Sequence, residues 1–238
     1  MKEINWSDFE WTQKSYNLLK GIEKFPKNKK IIVLLRHSHR YESGDLMNHE
    51  NDLLTPIGHQ YANLFGKHFP QRDPIRVYHS KVMRCKETAD GIINGMKETN
   101  KLVEMKGDLE VLYDIKVQPD VFYREANKYP LDQLVYRWAA GLYSEEIIIS
   151  FQKYVKEAAK AIWTFNEKPM NSGVDIHVSH DFILACLRFG WFGFDSNGCL
   201  PTYLTGFAFT FKDEGNIQLF DFDQFKKVET PHWWNHQI

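Results

Sequence analysis

The chain has 238 residues, of which 43% are hydrophobic and 26% are charged, and its 30 Lys and Arg residues nearly balance its 31 Asp and Glu residues. This composition is typical of a soluble globular protein whose core needs no disulfides or metal ions to fold. The net charge of −1 disfavours a nucleic-acid-binding protein, which needs a basic surface to displace counterions. We therefore expect a single domain over residues 1–238 and no nucleic-acid partner.

The cysteines and the apolar stretches give no sign of a special environment. Cys85, Cys186 and Cys199 lie far apart and form no CxxC pair, so neither a thiolate zinc site nor a redox motif is supported. No stretch has the length and apolarity of a signal peptide or of a membrane-spanning helix. We expect reduced thiols, a cytoplasmic location and no membrane partner, although a leader removed before this sequence begins would change the location.

Periodic apolar residues predict alternating helices and strands. A helix over residues 7–21, capped by Ser7, is expected within an N-terminal helical extension over residues 1–29. Residues 31–35 are an unbroken run of β-branched residues and leucine, which is typical of a parallel strand buried on both faces. The further predicted elements are a helix opened by Thr55 and Pro56, a strand over 75–78, a helix over 81–96 capped by Ser80, a strand over 109–113, a loop over 114–130, helices over 131–142 and 145–165, a strand over 175–178, a helix over 182–191, and a hairpin of 206–211 with 217–222.

This order of elements predicts an α/β fold. Strands that alternate with helices favour three layers, in which a mostly parallel central sheet is flanked by helices. The C-terminal hairpin is expected to add antiparallel strands at one edge of that sheet.

Polar clusters follow three of the predicted strands directly: Arg36-His37 with Arg40, His79-Ser80 with Arg84, and His180-Asp181. Because ligands bind outside the carboxyl ends of parallel strands, we expect these clusters to converge on one crevice. Arginine donates hydrogen bonds to phosphate oxygens in a planar fork. A neutral imidazole can attack phosphorus, and a carboxylic acid can protonate the leaving oxygen. The residues therefore predict phosphate-ester chemistry.

The histidines also allow a metal site. His37 and His39 are alternate residues, so they would face the same side of an extended strand, and His180 would supply a third zinc ligand. The surrounding arginines would repel a divalent cation. We expect no metal and no cofactor.

Four motifs, in this order, resemble those of the histidine phosphatase superfamily: Leu35-Arg36-His37, Leu54-Thr55-Pro56-Ile57-Gly58, the spacing Ser80-x-x-x-Arg84-x-x-x-Thr88-Ala89, and Ser179-His180-Asp181. Each motif is short, and it is the ordered set over residues 30–190 that is specific. The resemblance implies a phosphoglycerate mutase-like fold. It also implies that His37 is the phosphohistidine nucleophile, and that Arg36, Arg84 and His180 bind the transferring phosphoryl group.

The proton donor separates two branches of this superfamily. The phosphoglycerate mutase-like branch usually takes a glutamate from the middle of the chain, whereas the acid phosphatase branch takes the aspartate of a His-Asp pair. His180-Asp181 and the extra Arg40 resemble the acid phosphatase pattern. The resemblance thus implies Asp181 as the general acid and Arg40 as a further phosphate ligand. We also expect His79 and Tyr41 at the substrate rim, and substrate specificity from the loop over residues 41–52 and the irregular stretch over residues 114–138.

We accordingly expect a metal-independent phosphomonoesterase of a compact, divergent kind, active at mildly acidic pH. Two positions depart from the family pattern. Ser38 stands where the family normally has glycine, and Tyr41-Glu42 stands where a proline often follows the second arginine. A phosphoglycerate-type mutase and a catalytically weak pseudophosphatase that binds phosphorylated ligands remain as alternatives. The expected partner is a small phosphate ester or a phosphate ion, while the particular ester and the oligomeric state are not indicated.

Overall fold

The computed structural model describes residues 4–44, 49–163, 172–196, 198–213 and 215–234. The helices in these ranges are α1 (Glu10–Glu23), α2 (Pro56–His68), α3 (Met83–Glu98), α4 (Pro119–Ala126), α5 (Leu131–Ala139), α6 (Phe151–Trp163) and α7 (Asp181–Phe192). The strands are β1 (Lys30–Arg36), β2 (Ile75–His79), β3 (Val103–Asp108), β4 (Gly173–Ser179), β5 (Gly206–Asp213), β6 (Asn216–Asp221) and β7 (Gln224–Glu229). Each of the described helices is too short or too polar to cross a bilayer.

The strands form one sheet in the order β3-β2-β4-β1-β5-β6-β7. The first four are parallel, and the last three are antiparallel. The α/β fold, with a parallel core and antiparallel C-terminal strands, is therefore confirmed. Arg36 lies opposite Ser179 at the ends of β1 and β4, and His79 ends β2 beside β4. This register brings the polar residues that follow β1, β2 and β4 to one edge of the sheet.

Strand β1 is buried on both faces, as its apolar run predicts. Ile32 and Leu34 join the hydrophobic cluster that packs beneath α5, α6 and α7. Ile31, Val33 and Leu35 point the other way, into the cluster covered by α1, α2 and α3. Alternating side chains of one strand thus anchor both helical layers, and the C-terminal residue of this strand is held in a rigid frame.

The first residue of α2 agrees with the capping residues predicted from the sequence, whereas α1 and α3 begin later than predicted. Thr55 Oγ1 accepts a hydrogen bond from Gly58 N–H at 3.1 Å, and Pro56 occupies the first turn, as predicted. Helix α1 begins at Glu10 rather than near Ser7, because the N–H of Phe9 donates to Thr12 Oγ1 at 3.2 Å. Helix α3 begins at Met83, two residues later than expected.

The region between α3 and α6 departs most from the sequence prediction. The strand predicted over 109–113 is wrong: β3 ends at Asp108, and a single 3₁₀ turn over Glu110–Leu112 follows. Strand β3 lies at the edge of the sheet and its side chains are largely half-exposed, so it has no apolar run to reveal it. The predicted loop over 114–130 contains α4, and the helix predicted over 145–165 begins only at Phe151, with its last two residues outside the described ranges. Strand β7 extends the predicted hairpin.

Candidate active site

His37 directly follows β1 and is only 2% exposed. Its backbone N–H donates to the carbonyl of Ser179 at 2.9 Å, which extends the pairing with β4 by one residue. Its Nδ1 lies 2.8 Å from the carbonyl oxygen of Ser38, so Nδ1 carries the proton. Arg84 Nε donates to the other ring nitrogen, Nε2, at 3.1 Å. The contacts thus select the tautomer that has its proton on Nδ1 and its lone pair on Nε2, beside Arg84.

The environment of His37 keeps its ring neutral. Burial is the largest effect, and the nearby His180, Arg36 and Arg84 act in the same direction, so that the pKa of His37 lies well below its ordinary value of 6.5. Desolvation and adjacent cations both disfavour the imidazolium form. A neutral imidazole is the form that can act as a nucleophile.

Arg84, in the first turn of α3, joins His37 to His180. Its NH2 group lies 3.2 Å from His180 Nδ1. Because a guanidinium only donates, Nδ1 of His180 accepts, and the proton on Nε2 is directed to Ser80 Oγ at 3.0 Å. The centroids of the two histidine rings are 5.5 Å apart. Residues that follow three different strands are therefore locked into one buried hydrogen-bonded set.

Arg36 and Asp181 form an ion pair at the side of this set, with 2.8 Å between NH2 and Oδ2. Asp181 is the first residue of α7, and its Oδ1 accepts from the N–H of Phe182 at 2.8 Å. Arg36 NH1 donates to the carbonyl of Pro201 at 2.9 Å. The guanidinium also lies 4.5 Å from the ring centroid of Tyr203, a cation–π contact that orients it.

The other predicted site residues lie farther out or make different contacts. Arg40 forms a close ion pair with Asp52. Tyr41 is 57% exposed, whereas His79 is buried at the end of β2, where its Nδ1 lies 2.8 Å from the carbonyl of Ser80. The described structure thus gathers five of the predicted residues into the site: Arg36, His37, Arg84, His180 and Asp181.

Ser38, which departs from the family pattern, is fully buried and satisfied. Its N–H donates to Thr88 Oγ1 at 2.9 Å, and its hydroxyl donates to the carbonyl of Gly58 at 2.7 Å. It does not belong to the residues with positive φ, so no glycine is needed at this point of the backbone. The position that does require glycine is Gly58, where the backbone passes so close to residue 39 that an added Cβ would lie 2.0 Å from the carbonyl oxygen of His39.

The structure adds tyrosines and a glutamate that sequence patterns did not reveal. The ring centroid of Tyr203 lies 5.8 Å from that of His37, and that of Tyr113 lies 5.8 Å from that of His180. Glu50 contributes its backbone oxygen, which accepts from Arg84 NH1 at 3.4 Å. These residues lie on loops and turns rather than directly at predicted strand ends, so no spacing rule identifies them.

A zinc site would require His39 to point toward the same ion as His37 and His180, but His39 makes other contacts. His39 Nδ1 lies 2.8 Å from Thr55 Oγ1, and its ring stacks beside Trp11. Across the residues that the structure describes, no group of three or more His, Cys, Asp or Glu side chains is arranged to hold a metal ion. The neighbouring Cys85 thiol is buried, which raises its pKa to about 12.

The fold and this constellation of residues correspond to a known family. Residues 32–201 match the family model described as histidine phosphatase superfamily (branch 1). This match spans well over half of the chain, and the protein belongs to that superfamily, as the motifs predict. The assignment to the acid phosphatase branch is not confirmed. No protein of curated function matches the sequence significantly.

Solved structures are similar to this one. One is mycobacterial glucosyl-3-phosphoglycerate phosphatase complexed with VO3, at 14% identity and a TM-score of 0.51, covering 84% of this chain and 99% of that chain. Another is phosphoserine phosphatase from Entamoeba histolytica in complex with 3-phosphoglyceric acid, at 18% identity and a TM-score of 0.49, covering 76% of this chain and 90% of that chain. At these identities the likeness concerns the fold alone.

Proposed function

We propose that the protein is a phosphomonoester hydrolase in which Nε2 of His37 attacks phosphorus and forms a phosphohistidine. The observation that carries this proposal is the hydrogen bonding of the His37 ring. The carbonyl of Ser38 fixes the proton on Nδ1, and the lone pair on Nε2 accepts a hydrogen bond from Arg84, which would pass to a phosphate oxygen before Nε2 attacks. A nucleophile whose tautomer and orientation are fixed in advance loses little entropy when it reacts.

The phosphoryl group would be bound by the donors around Nε2. Arg84 lies beside His37, and Arg36 is the partner of Asp181 at the side of this set. His180, whose Nδ1 accepts from Arg84 here, would become a donor to the phosphoryl group by taking up a proton on Nδ1. Arginine forks match phosphate oxygens, and their interaction with a dianion is stronger in a buried pocket than in water. Arg40, next to this group, is proposed as a further ligand that exchanges Asp52 for phosphate.

Asp181 is proposed as the general acid. A phosphate dianion bound to Arg36 would compete with Asp181 for the same guanidinium. The carboxyl group of Asp181 would then leave Arg36 and lie beside the leaving oxygen. A proton on Asp181 removes its repulsion of the dianion, and this proton is the one donated to the leaving group. The N–H of Phe182 holds the other oxygen throughout.

The reaction then balances in two steps. In the first, the P–O ester bond breaks, a P–N bond to His37 forms, and the alcohol leaves with the proton of Asp181. In the second, water attacks phosphorus, the P–N bond breaks, and Asp181 takes a proton from the water. Inorganic phosphate is released and the enzyme returns to its starting state.

The satisfied geometry of Ser38 supports a catalyst rather than a pseudophosphatase. Its hydroxyl is bonded to Gly58 and its N–H to Thr88, so replacement of glycine leaves the backbone after His37 unstrained. The mycobacterial relative with this fold is also a phosphatase.

The test is hydrolysis of p-nitrophenyl phosphate by the purified chain, with and without EDTA. We expect stoichiometric release of phosphate and nitrophenol, unaffected by the chelator, because every group invoked belongs to the protein. Activity that is lost with EDTA and restored by zinc would contradict the proposal. Transfer of the phosphoryl group to an added sugar acid rather than to water would identify a mutase instead.

A further inference from the structure

Beside each histidine of the pocket stands a tyrosine that is hydrogen-bonded to a glutamate. On the His37 side, the hydroxyl of Tyr203 donates to Glu42 Oε1 at 2.8 Å. The Tyr203 ring also packs on the guanidinium of Arg36. Glu42 itself is exposed. This carboxylate therefore faces solvent next to the phosphoryl pocket.

On the His180 side, Tyr113 and Glu50 form the second pair. The hydroxyl of Tyr113 donates to Glu50 Oε1, and the hydroxyl of Tyr123 lies 3.4 Å from the same oxygen. The backbone oxygen of Glu50 is in contact with Arg84, so this exposed carboxylate also belongs to the immediate surroundings of the pocket.

The charge of this rim is negative over the described residues. Arg36 and Arg40, the proposed phosphoryl ligands, are ion-paired with Asp181 and Asp52. Beyond them, Lys81 places its Nζ 4.7 Å from the ring centroid of Tyr113. Asp114 interacts electrostatically with Lys81 and is ion-paired with Lys116, which is also paired with Glu110, so these two cations and two anions balance one another. Glu42 and Glu50 accept hydrogen bonds from the hydroxyl groups of tyrosines, which carry no compensating positive charge.

We propose that the leaving group of the substrate carries no negative charge, so that the substrate class is the phosphate monoesters of uncharged alcohols, polyols and phenols. This inference rests on the proposed function and names the substrate class of the same site. The phenol rings offer faces for carbon–hydrogen surfaces, and the glutamate oxygens accept hydrogen bonds from hydroxyls. A carboxylate or second phosphate on the leaving group would meet Glu42 or Glu50 instead and be repelled.

Glycerol phosphate and 3-phosphoglycerate of the same configuration make a matched pair, because they differ only in a CH₂OH group against a carboxylate. We expect the wild-type protein to favour glycerol phosphate in kcat/KM by about tenfold or more, since both carboxylates of the rim oppose the anionic ester. Glu42→Gln and Glu50→Gln should each improve 3-phosphoglycerate relative to glycerol phosphate by about three- to tenfold. Added salt should narrow the wild-type preference because the rim is exposed to solvent.

Glu98→Gln is the control. It removes the same charge at the far end of α3, about 21 Å from Arg84 along the helix axis, and should leave the preference unchanged. Equal or better use of 3-phosphoglycerate by the wild type, or glutamine variants without effect on the ratio, would overturn the inference.

p-Nitrophenyl phosphate separates the two proposals, since failure to hydrolyse it contradicts the proposed function. In that case the binding of the two esters, measured by calorimetry on the same variants, still decides the inference.

Discussion

The proposed phosphoryl pocket and the rim around it are built differently. The pocket residues His37, Arg84 and His180 are at most 9% exposed and are hydrogen-bonded to one another. The rim glutamates are exposed, and each is held by phenol hydroxyls. A buried set is costly to disturb, because removal of one member leaves its partners unsatisfied, whereas an exposed group is replaced by water. We therefore expect substitutions in the pocket to cost orders of magnitude in rate, and substitutions in the rim to redistribute rates among substrates.

Among substitutions that leave the nucleophile in place, the largest loss is expected from Arg84→Ala. It removes the donor that faces Nε2 of His37 and also leaves Nδ1 of His180 without its guanidinium partner. The kcat/KM for p-nitrophenyl phosphate should fall by about 10³-fold. Arg84→Lys should recover little of this loss, because an ammonium cannot bond both histidines in one plane. Full recovery in the lysine variant would show that charge alone matters at this position.

Asp181→Asn should have the next largest effect, and it should depend on the leaving group. Asparagine has no proton to give to the leaving oxygen, so esters of simple alcohols should slow by about 10²- to 10³-fold. Activated aryl phosphates, whose leaving groups need little protonation, should slow much less. The comparison is made by measuring kcat/KM for both substrate types, because kcat/KM reports the first step, in which the leaving group departs, whereas hydrolysis of the phosphohistidine is common to both substrates. Equal losses on both would rule out Asp181 as the proton donor.

Tyr203 is expected to have a smaller effect, on positioning. Its ring packs on the guanidinium of Arg36, so Tyr203→Leu should raise KM by about three- to tenfold through loss of the cation–π contact. Tyr203→Phe keeps the ring and should restore the KM for p-nitrophenyl phosphate, while it loses the bond to Glu42. If the phenylalanine variant is as impaired as the leucine variant, the hydroxyl rather than the ring positions Arg36.

The smallest effect on activity is expected from protonation of His37 at mildly acidic pH. The pKa of His37 is lowered, chiefly by burial, so acidification protonates it only well below its ordinary value of 6.5. The nucleophile should remain neutral, and competent, at mildly acidic pH. An NMR titration of the His37 ring, assigned with His37→Asn, checks this directly. A midpoint near 6.5 would mean that the pocket is wetter and less cationic than its contacts indicate.

The contrast between pocket and rim also explains what the sequence could predict. Arg36 and His37 follow a strand whose apolar run is visible, and parallel pairing of β1 with β4 carries them to His180. The rim depends on the hydroxyl of Tyr203 reaching Glu42, about 160 residues away in the chain, and no periodicity encodes such a contact. Edge strand β3 is not visible in the sequence for a related reason, since its side chains are partly buried or exposed and form no apolar run.

The central claim is that His37 carries the phosphoryl group, and rapid quenching of the Asp181→Asn variant during turnover of labelled p-nitrophenyl phosphate tests it most directly. The variant still accepts the phosphoryl group from an activated ester but lacks the base that assists water, so the intermediate should accumulate. We predict acid-labile, base-stable phosphate on the peptide that contains His37, and none in the additional His37→Ala variant. Phosphate on another residue, such as the adjacent Ser38, or turnover that survives in His37→Ala, would contradict the account.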